Sequence, residues 1–126
     1  YALDYYKDAL KIQEKLEPLN HPSLGETYYN VALMYQSTGD LAAALSYYEK
    51  ALEIQRKALP PTHPSLATTY SDLGHLLCSM GNYEKALSHV KEALDIQSNA
   101  LPSNHPSTAR SQYFMALILN QLERYE

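Results

Sequence analysis

The chain of 126 residues has no tryptophan, a single phenylalanine (Phe114) and a single cysteine (Cys78). One thiol excludes an internal disulfide and fits a reducing compartment, so a cytoplasmic location is expected. Positive charge is scarce: 10 Lys and Arg stand against 14 Asp and Glu, for a formal net charge of −4. That balance leaves no basic footprint for nucleic acid or an anionic membrane. No apolar run is long enough to cross a bilayer, and no signal peptide is visible. With only 4 glycines there is no Gly-rich loop to cradle a phosphate. Heptads and β-branched runs of period two are missing too, which sets aside a coiled coil and a propeller.

Tyrosine is what the chain has in excess, with 12 residues. It suits surfaces that are half packed and half wet, such as the flanks of stacked helices and binding grooves. More telling is a beat of 42 residues: His21-Pro22, His63-Pro64 and His105-Pro106, each followed by serine. Ala2/Ala44/Ala86, Leu3/Leu45/Leu87, Ala9/Ala51/Ala93, Leu10/Leu52/Leu94, Ile12/Ile54/Ile96, Gln13/Gln55/Gln97 and Pro18/Pro60/Pro102 share the same register. Gly39 and Gly81 match as well, with Glu123 in the third copy. A period in this range marks a stack of supersecondary units.

One period reads as two helices. Pro22 fits a first helical turn, where its missing N–H costs nothing, with Asn20 or His21 near the cap. Leu24, Tyr28, Val31, Ala32 and Tyr35 form an apolar stripe at helical spacing. Gly39-Asp40 ends it through a left-handed turn. A second helix buries Leu41, Ala44, Leu45, Tyr48, Ala51, Leu52 and Ile54 until Pro60-Pro61 stops it. Short loops make the two helices antiparallel neighbours. Ala32 and Gly74 on first helices, and Ala44, Ala51, Ala86 and Ala93 on second helices, leave holes for Tyr28, Tyr48, Tyr70, Leu73 and Tyr83.

The run Tyr70-x-x-Leu73-Gly74-x-x-Leu77-x-x-x-Gly81-x-Tyr83-x-x-Ala86-x-x-x-Val90-x-x-Ala93-Leu94 resembles the tetratricopeptide repeat signature. Tyr28, Val31, Ala32, Tyr35, Gly39, Ala44, Tyr48 and Ala51-Leu52 carry it in the preceding copy. The usual unit is about 34 residues. The longer second helix here makes the 42-residue variant look like the kinesin light chain type. The resemblance implies an all-α, right-handed superhelical solenoid of antiparallel helix pairs, with about six helices in one array over 1–126. Residues 1–17 are expected as a second helix without its first, 22–59 and 64–101 as full repeats, and 106–122 as a first helix without its second.

The resemblance also implies that first helices line a concave groove holding a peptide or partner segment. The groove positions become Glu26, Tyr29, Asn30, Leu33, Gln36 and Ser37 in the first copy. They are Thr68, Ser71, Asp72, His75, Cys78 and Ser79 in the second, and Arg110, Tyr113, Phe114, Leu117, Asn120 and Gln121 in the third. Each set falls on one helical face, expected opposite the stripe that packs. Hydroxyls and amides suit the backbone of an extended peptide, and aromatics offer rigid contact area. A Lys-Asn clamp for terminal carboxylates, as in chaperone-tail binders, is not expected, because the first helices contain no Lys. Of the paired groove asparagines of kinesin light chains only Asn30 has a match; Asp72 and Phe114 occupy the equivalent places.

No catalytic or metal chemistry is expected, and no cofactor. His21, His63 and His105 lie one repeat apart, roughly 10 Å or more at ordinary helix spacings, whereas zinc ligands converge within about 2.0–2.1 Å of one ion. They read instead as helix-start residues. Cys78 has His75 three residues before it but no His-plus-acid constellation that sequence spacing can support, and a lone helical cysteine is usually an apolar filler. The chain begins at Tyr1 in mid-pattern and is expected to be part of something longer. Its ends are expected to present apolar faces, Tyr1, Leu3, Tyr6 and Leu10 at one and Phe114, Met115, Ile118 and Leu122 at the other. Such faces could join copies head to tail. The reading is a protein-interaction scaffold; a self-stacking structural element and a regulatory array attached to another domain are the alternatives.

Overall fold

The structure, a computed structural model, describes residues 7, 8, 11, 22–100 and 105–125. Among them are five helices and no strand: α1 Pro22–Thr38, α2 Leu41–Ala58, α3 Pro64–Ser79, α4 Tyr83–Ala100 and α5 Pro106–Tyr125. Lys7, Asp8 and Lys11 are helical too, while the rest of the segment 1–17, including Tyr1, Leu3, Tyr6 and Leu10, lies outside the described residues. The chain divides into two compact units, Tyr1–Pro60 and Pro61–Glu126.

The turns follow from local chemistry. Gly39 and Gly81 take positive φ, 89° and 86°, where a side chain would be strained. At α1 the Gly39 N–H donates to Gln36 O (3.1 Å) and the Asp40 N–H to Tyr35 O (3.0 Å). At α3 the Gly81 N–H donates to Cys78 O (3.1 Å) and the Asn82 N–H to Leu77 O (2.9 Å). Both pairs close the helix end in the same way, satisfying carbonyls that the helix itself leaves open. Asp40 then caps α2, its Oδ1 accepting from the Ala43 N–H at 3.2 Å.

His63-Pro64 and His105-Pro106 start helices. His63 Nδ1 accepts from the Ser65 N–H and His105 Nδ1 from the Ser107 N–H, each at 3.1 Å. Pro64 and Pro106 open α3 and α5, where no amide donor is needed. The imidazole therefore does the capping work usually left to Ser, Thr or Asp.

In the first unit α1 and α2 pack as an antiparallel pair. Leu24, Val31, Ala32, Ala44, Tyr48 and Ala51 are fully buried, and Tyr28, Leu52 and Ile54 nearly so. Burying each large side chain contributes roughly 1.5–3 kcal/mol. The half-wet tyrosines form a ladder on the flank: Tyr35 stacks on Tyr47 at 5.4 Å, and Lys50 Nζ sits 5.2 Å from the Tyr47 ring and 5.8 Å from Tyr28. Ring faces there meet both neighbouring rings and ammonium groups.

In the second unit α3 packs on α4, and α5 packs on both. Gly74 lets α3 and α4 touch: a Cβ there would overlap Val90 Cγ2 and meet the Ala86 carbonyl oxygen at 3.0 Å. Leu73, Leu77, Ala86, Val90 and Ala93 fill the same seam.

Candidate functional site

The groove positions of α1 are Glu26 and Ser37, exposed, and Tyr29, Asn30, Leu33 and Gln36, half-buried. Two of them lean toward α2: Gln36 Oε1 accepts from the Tyr48 hydroxyl at 2.7 Å, and the Tyr29 ring lies 5.8 Å from that of Tyr48. The fully buried tyrosine thus satisfies its one polar atom.

In the second unit the α3 and α5 sets meet. Arg110 Nη2 lies 2.7 Å from Asp72 Oδ1; the Asp72 side chain is 3% exposed and that of Arg110 54%. Ser111 Oγ, fully buried, donates to Ser71 Oγ at 3.0 Å. The His75 ring stacks on Phe114 with centroids 4.5 Å apart and 17° between planes. The Arg110 guanidinium carbon stands 5.1 Å from the Phe114 ring centre, and Tyr113 lies beside that ring at 6.2 Å. Tyr113 is the most open large apolar side chain here, at 61% exposure.

The expectation that these residues stand opposite the packing stripe fails at Ser71, Asp72 and Phe114, all buried. The reason is lateral: α5 packs against α3 as well as α4, so part of the groove face becomes seam. Thr68, His75, Leu117 and Gln121 remain half-buried, and Ser79, Arg110, Tyr113 and Asn120 stay exposed. Thr68 and Ser79 turn their hydroxyls back onto the carbonyls of Pro64 and His75, as helical Ser and Thr often do.

Phe114 and Ile118 also correct the reading of the chain's later end. They are 7% and 0% exposed and serve the seam rather than an open face; Met115 and Leu122 are half-buried. Sequence reasoning missed Ser111, although a hydroxyl recurs in its register at Thr27 and Thr69. It also missed Thr108, which replaces Leu24 and Leu66 of the earlier copies and buries an Oγ1 with no hydrogen-bond partner. Beside it, Gln97 Nε2 donates to the Ser107 carbonyl at 3.2 Å while Oε1 finds no partner.

Electrostatically the seam is asymmetric. Burial lowers the His75 pKa below its ordinary 6.5; Asp72 pulls it up and Arg110 pushes it down. Burial also raises the thiol of Cys78, so it is not an activated nucleophile. Among the described residues no three His, Cys, Asp or Glu side chains gather where they could hold a metal ion. Nor is any helix among them long and apolar enough to cross a membrane.

The tetratricopeptide repeat profile matches residues 2–57, 23–99 and 65–126, overlapping spans that run through nearly the whole sequence. The chain belongs to the tetratricopeptide repeat family. Its repeats are of the kinesin light chain-like type. A solved protein of Podosopora anserina, described as a kinesin light chain with nearly identical TPR-like repeats, is 27% identical with a TM-score of 0.78. That alignment covers 98% of this chain and 58% of the other. A single-residue variant of the same protein gives 26% identity and a TM-score of 0.80, with the same coverage. BtubC (BKLC) from P. vanneervenii is 20% identical, with a TM-score of 0.89 over 97% of this chain and 49% of its own, a likeness of fold. The chain thus spans about half the length of these structures. No curated protein matches it. Tetratricopeptide repeats mediate protein–protein interaction and constitute a non-enzymatic scaffold family.

Proposed function

We propose that the chain is an interaction scaffold whose second unit grips an extended segment of a partner protein along the face shared by α3 and α5. The observation that carries this is the Asp72–Arg110–Phe114 arrangement. A buried carboxylate anchors one edge of the Arg110 guanidinium while more than half of that side chain stays in water. The Phe114 ring supports it from one side. A guanidinium held this way presents its remaining donors with little left to lose in side-chain freedom. They suit the carbonyls of an extended backbone. Exposed Tyr113 adds a rigid aromatic surface beside them, and exposed Asn120 an amide. Tyr and Arg are the residue types that dominate binding energy at protein interfaces. The α1 set with Asn30 is the same reading applied to the first unit.

A peptide-library selection against the whole chain tests this. Arg110→Ala and Tyr113→Ala are each expected to weaken the selected peptide by about tenfold, equivalent to ~1.4 kcal/mol. Glu53→Gln, on α2 of the other unit, is the control. Affinity indifferent to both Arg110→Ala and Tyr113→Ala would remove the α3–α5 face from consideration.

A further inference from the structure

The face shared by α3 and α5 carries one permanent cation, and a buried anion already matches it. Arg110 Nη2 lies 2.7 Å from Asp72 Oδ1. The Asp72 side chain is 3% exposed, so it has no room to turn into water when a ligand arrives. The guanidinium, by contrast, is more than half open. No other Asp, Glu, Lys or Arg stands among the groove positions of α3 and α5. His75 adds no charge at neutral pH, because burial holds its pKa below the ordinary 6.5. Its ring is engaged with Phe114. The face therefore offers directed hydrogen-bond donors with almost no net charge.

That balance decides what approaches Arg110. An unmatched guanidinium draws carboxylates, often as a bidentate pair. Here a second carboxylate on the open edge of Arg110 would share one positive charge with Asp72, and the two anions would repel across it. Because Asp72 is buried, solvent and salt screen that repulsion poorly. An uncharged oxygen, from an amide, a hydroxyl or a main-chain carbonyl, accepts from the same donors without the repulsion. Asp72 also ties α3 to α5, but a tie does not require a carboxylate. An asparagine of the same shape would accept the same hydrogen bond through its amide oxygen. What the carboxylate adds is the charge.

Resting on the binding role given to this face above, we propose that Asp72 sets the class of partner. The segment held beside Arg110 is uncharged there, with Asn, Gln, Ser or Thr accepted and Asp and Glu rejected. Asp72 acts through Arg110, as a specificity-determining residue that cancels the guanidinium's pull on acids while holding it in place. In Asp72→Asn the guanidinium keeps a neighbour of the same shape and becomes an unmatched cation. The preference then turns toward acidic segments.

The probe is the peptide selected from a random library on the full wild-type chain. Each of its positions is replaced in turn by Asn and by Asp, and every pair is titrated against wild type and Asp72→Asn. Wild type is expected to bind the Asn peptide about tenfold more tightly than the Asp peptide at one position, the one beside Arg110. Asp72→Asn is expected to abolish or invert that ratio, and a parallel selection on it should yield peptides richer in Asp and Glu. A purely structural Asp72 would weaken both peptides of a pair alike. Should far-UV circular dichroism show that Asp72→Asn loses helix, the wild-type scan decides alone. A peptide that needs Arg110, yet binds wild type as well or better with Asp at every position, overturns this proposal and leaves the binding face standing. Discrimination that survives in a folded Asp72→Asn does the same. A library that yields no peptide, or one indifferent to both Arg110→Ala and Tyr113→Ala, removes the binding face and this proposal together.

Discussion

Two seams of the second unit are built from different materials. Between α3 and α4 the contact is apolar and so close that Gly74 has no room for a Cβ. Between α5 and the two helices beneath it, Phe114 and Ile118 supply apolar area, but polar groups run through the contact. Ser111 meets Ser71, Arg110 meets Asp72, Gln97 meets the Ser107 carbonyl, and Thr108 buries a hydroxyl alone. The first seam specifies one geometry by excluded volume. The second spends part of its stability on polar side chains, and the candidate binding groups sit there. A scaffold needs both: a rigid pair within each repeat and a chemically varied face between repeats.

The largest test of this contrast is Gly74→Val. Overpacking a filled seam costs about 1–3 kcal/mol, occasionally more. Here the added atoms meet backbone as well as Val90, so the upper end is expected, read from urea unfolding. Gly74→Ala should also destabilise, although alanine is favoured in an exposed helix by about 1 kcal/mol. A stabilised Gly74→Ala would show that the first seam is looser than described.

A change of opposite sign is expected in the other seam. Thr108→Leu restores the residue found at Leu24 and Leu66 and removes a hydroxyl without a partner. A buried unsatisfied polar group costs about 1–3 kcal/mol, so the variant should gain on the order of 1 kcal/mol, visible as a higher urea midpoint. A loss would mean that the hydroxyl is satisfied in solution and that the seam is better matched than its contacts suggest.

The smallest effect concerns pH. Because burial holds the His75 pKa below 6.5, the unfolded chain binds a proton there that the folded chain refuses. Stability contributed by neutral His75 is therefore present above pH 6.5 and is lost as pH falls from 6.5 toward the lowered folded value. His75→Phe keeps a ring to stack on Phe114 and removes that titration. Its stability relative to wild type should rise as pH drops through this window, followed by urea unfolding at several pH values. A difference that does not change with pH would sink the assignment.

Much of the architecture was legible because punctuation is local. His63 and His105 cap their own helices through an Nδ1 two residues from the amide they hold. Gly39 and Gly81 turn the chain with bonds spanning only a few residues. Such features repeat wherever the same residues recur, and a 42-residue period copies them faithfully. The candidate site was only partly legible. Arg110 and Tyr113 remain open, but Ser71, Asp72 and Phe114, placed on the same faces by helical spacing, are buried. A period of 3.6 says which residues share a face, not which neighbour covers it.

What the sequence by itself determined, then, is the helix pair, its turns, its antiparallel packing and the family. Each rests on interactions between residues close in the chain or repeated at fixed intervals. What only the tertiary structure decided is how α5 divides its surface. Phe114 and Ile118 turn inward, and Arg110 reaches Asp72. A helix with two neighbours carries two packing faces, and their hydrophobic patterns overlap around the same cylinder. Only the position of the neighbouring helices tells them apart.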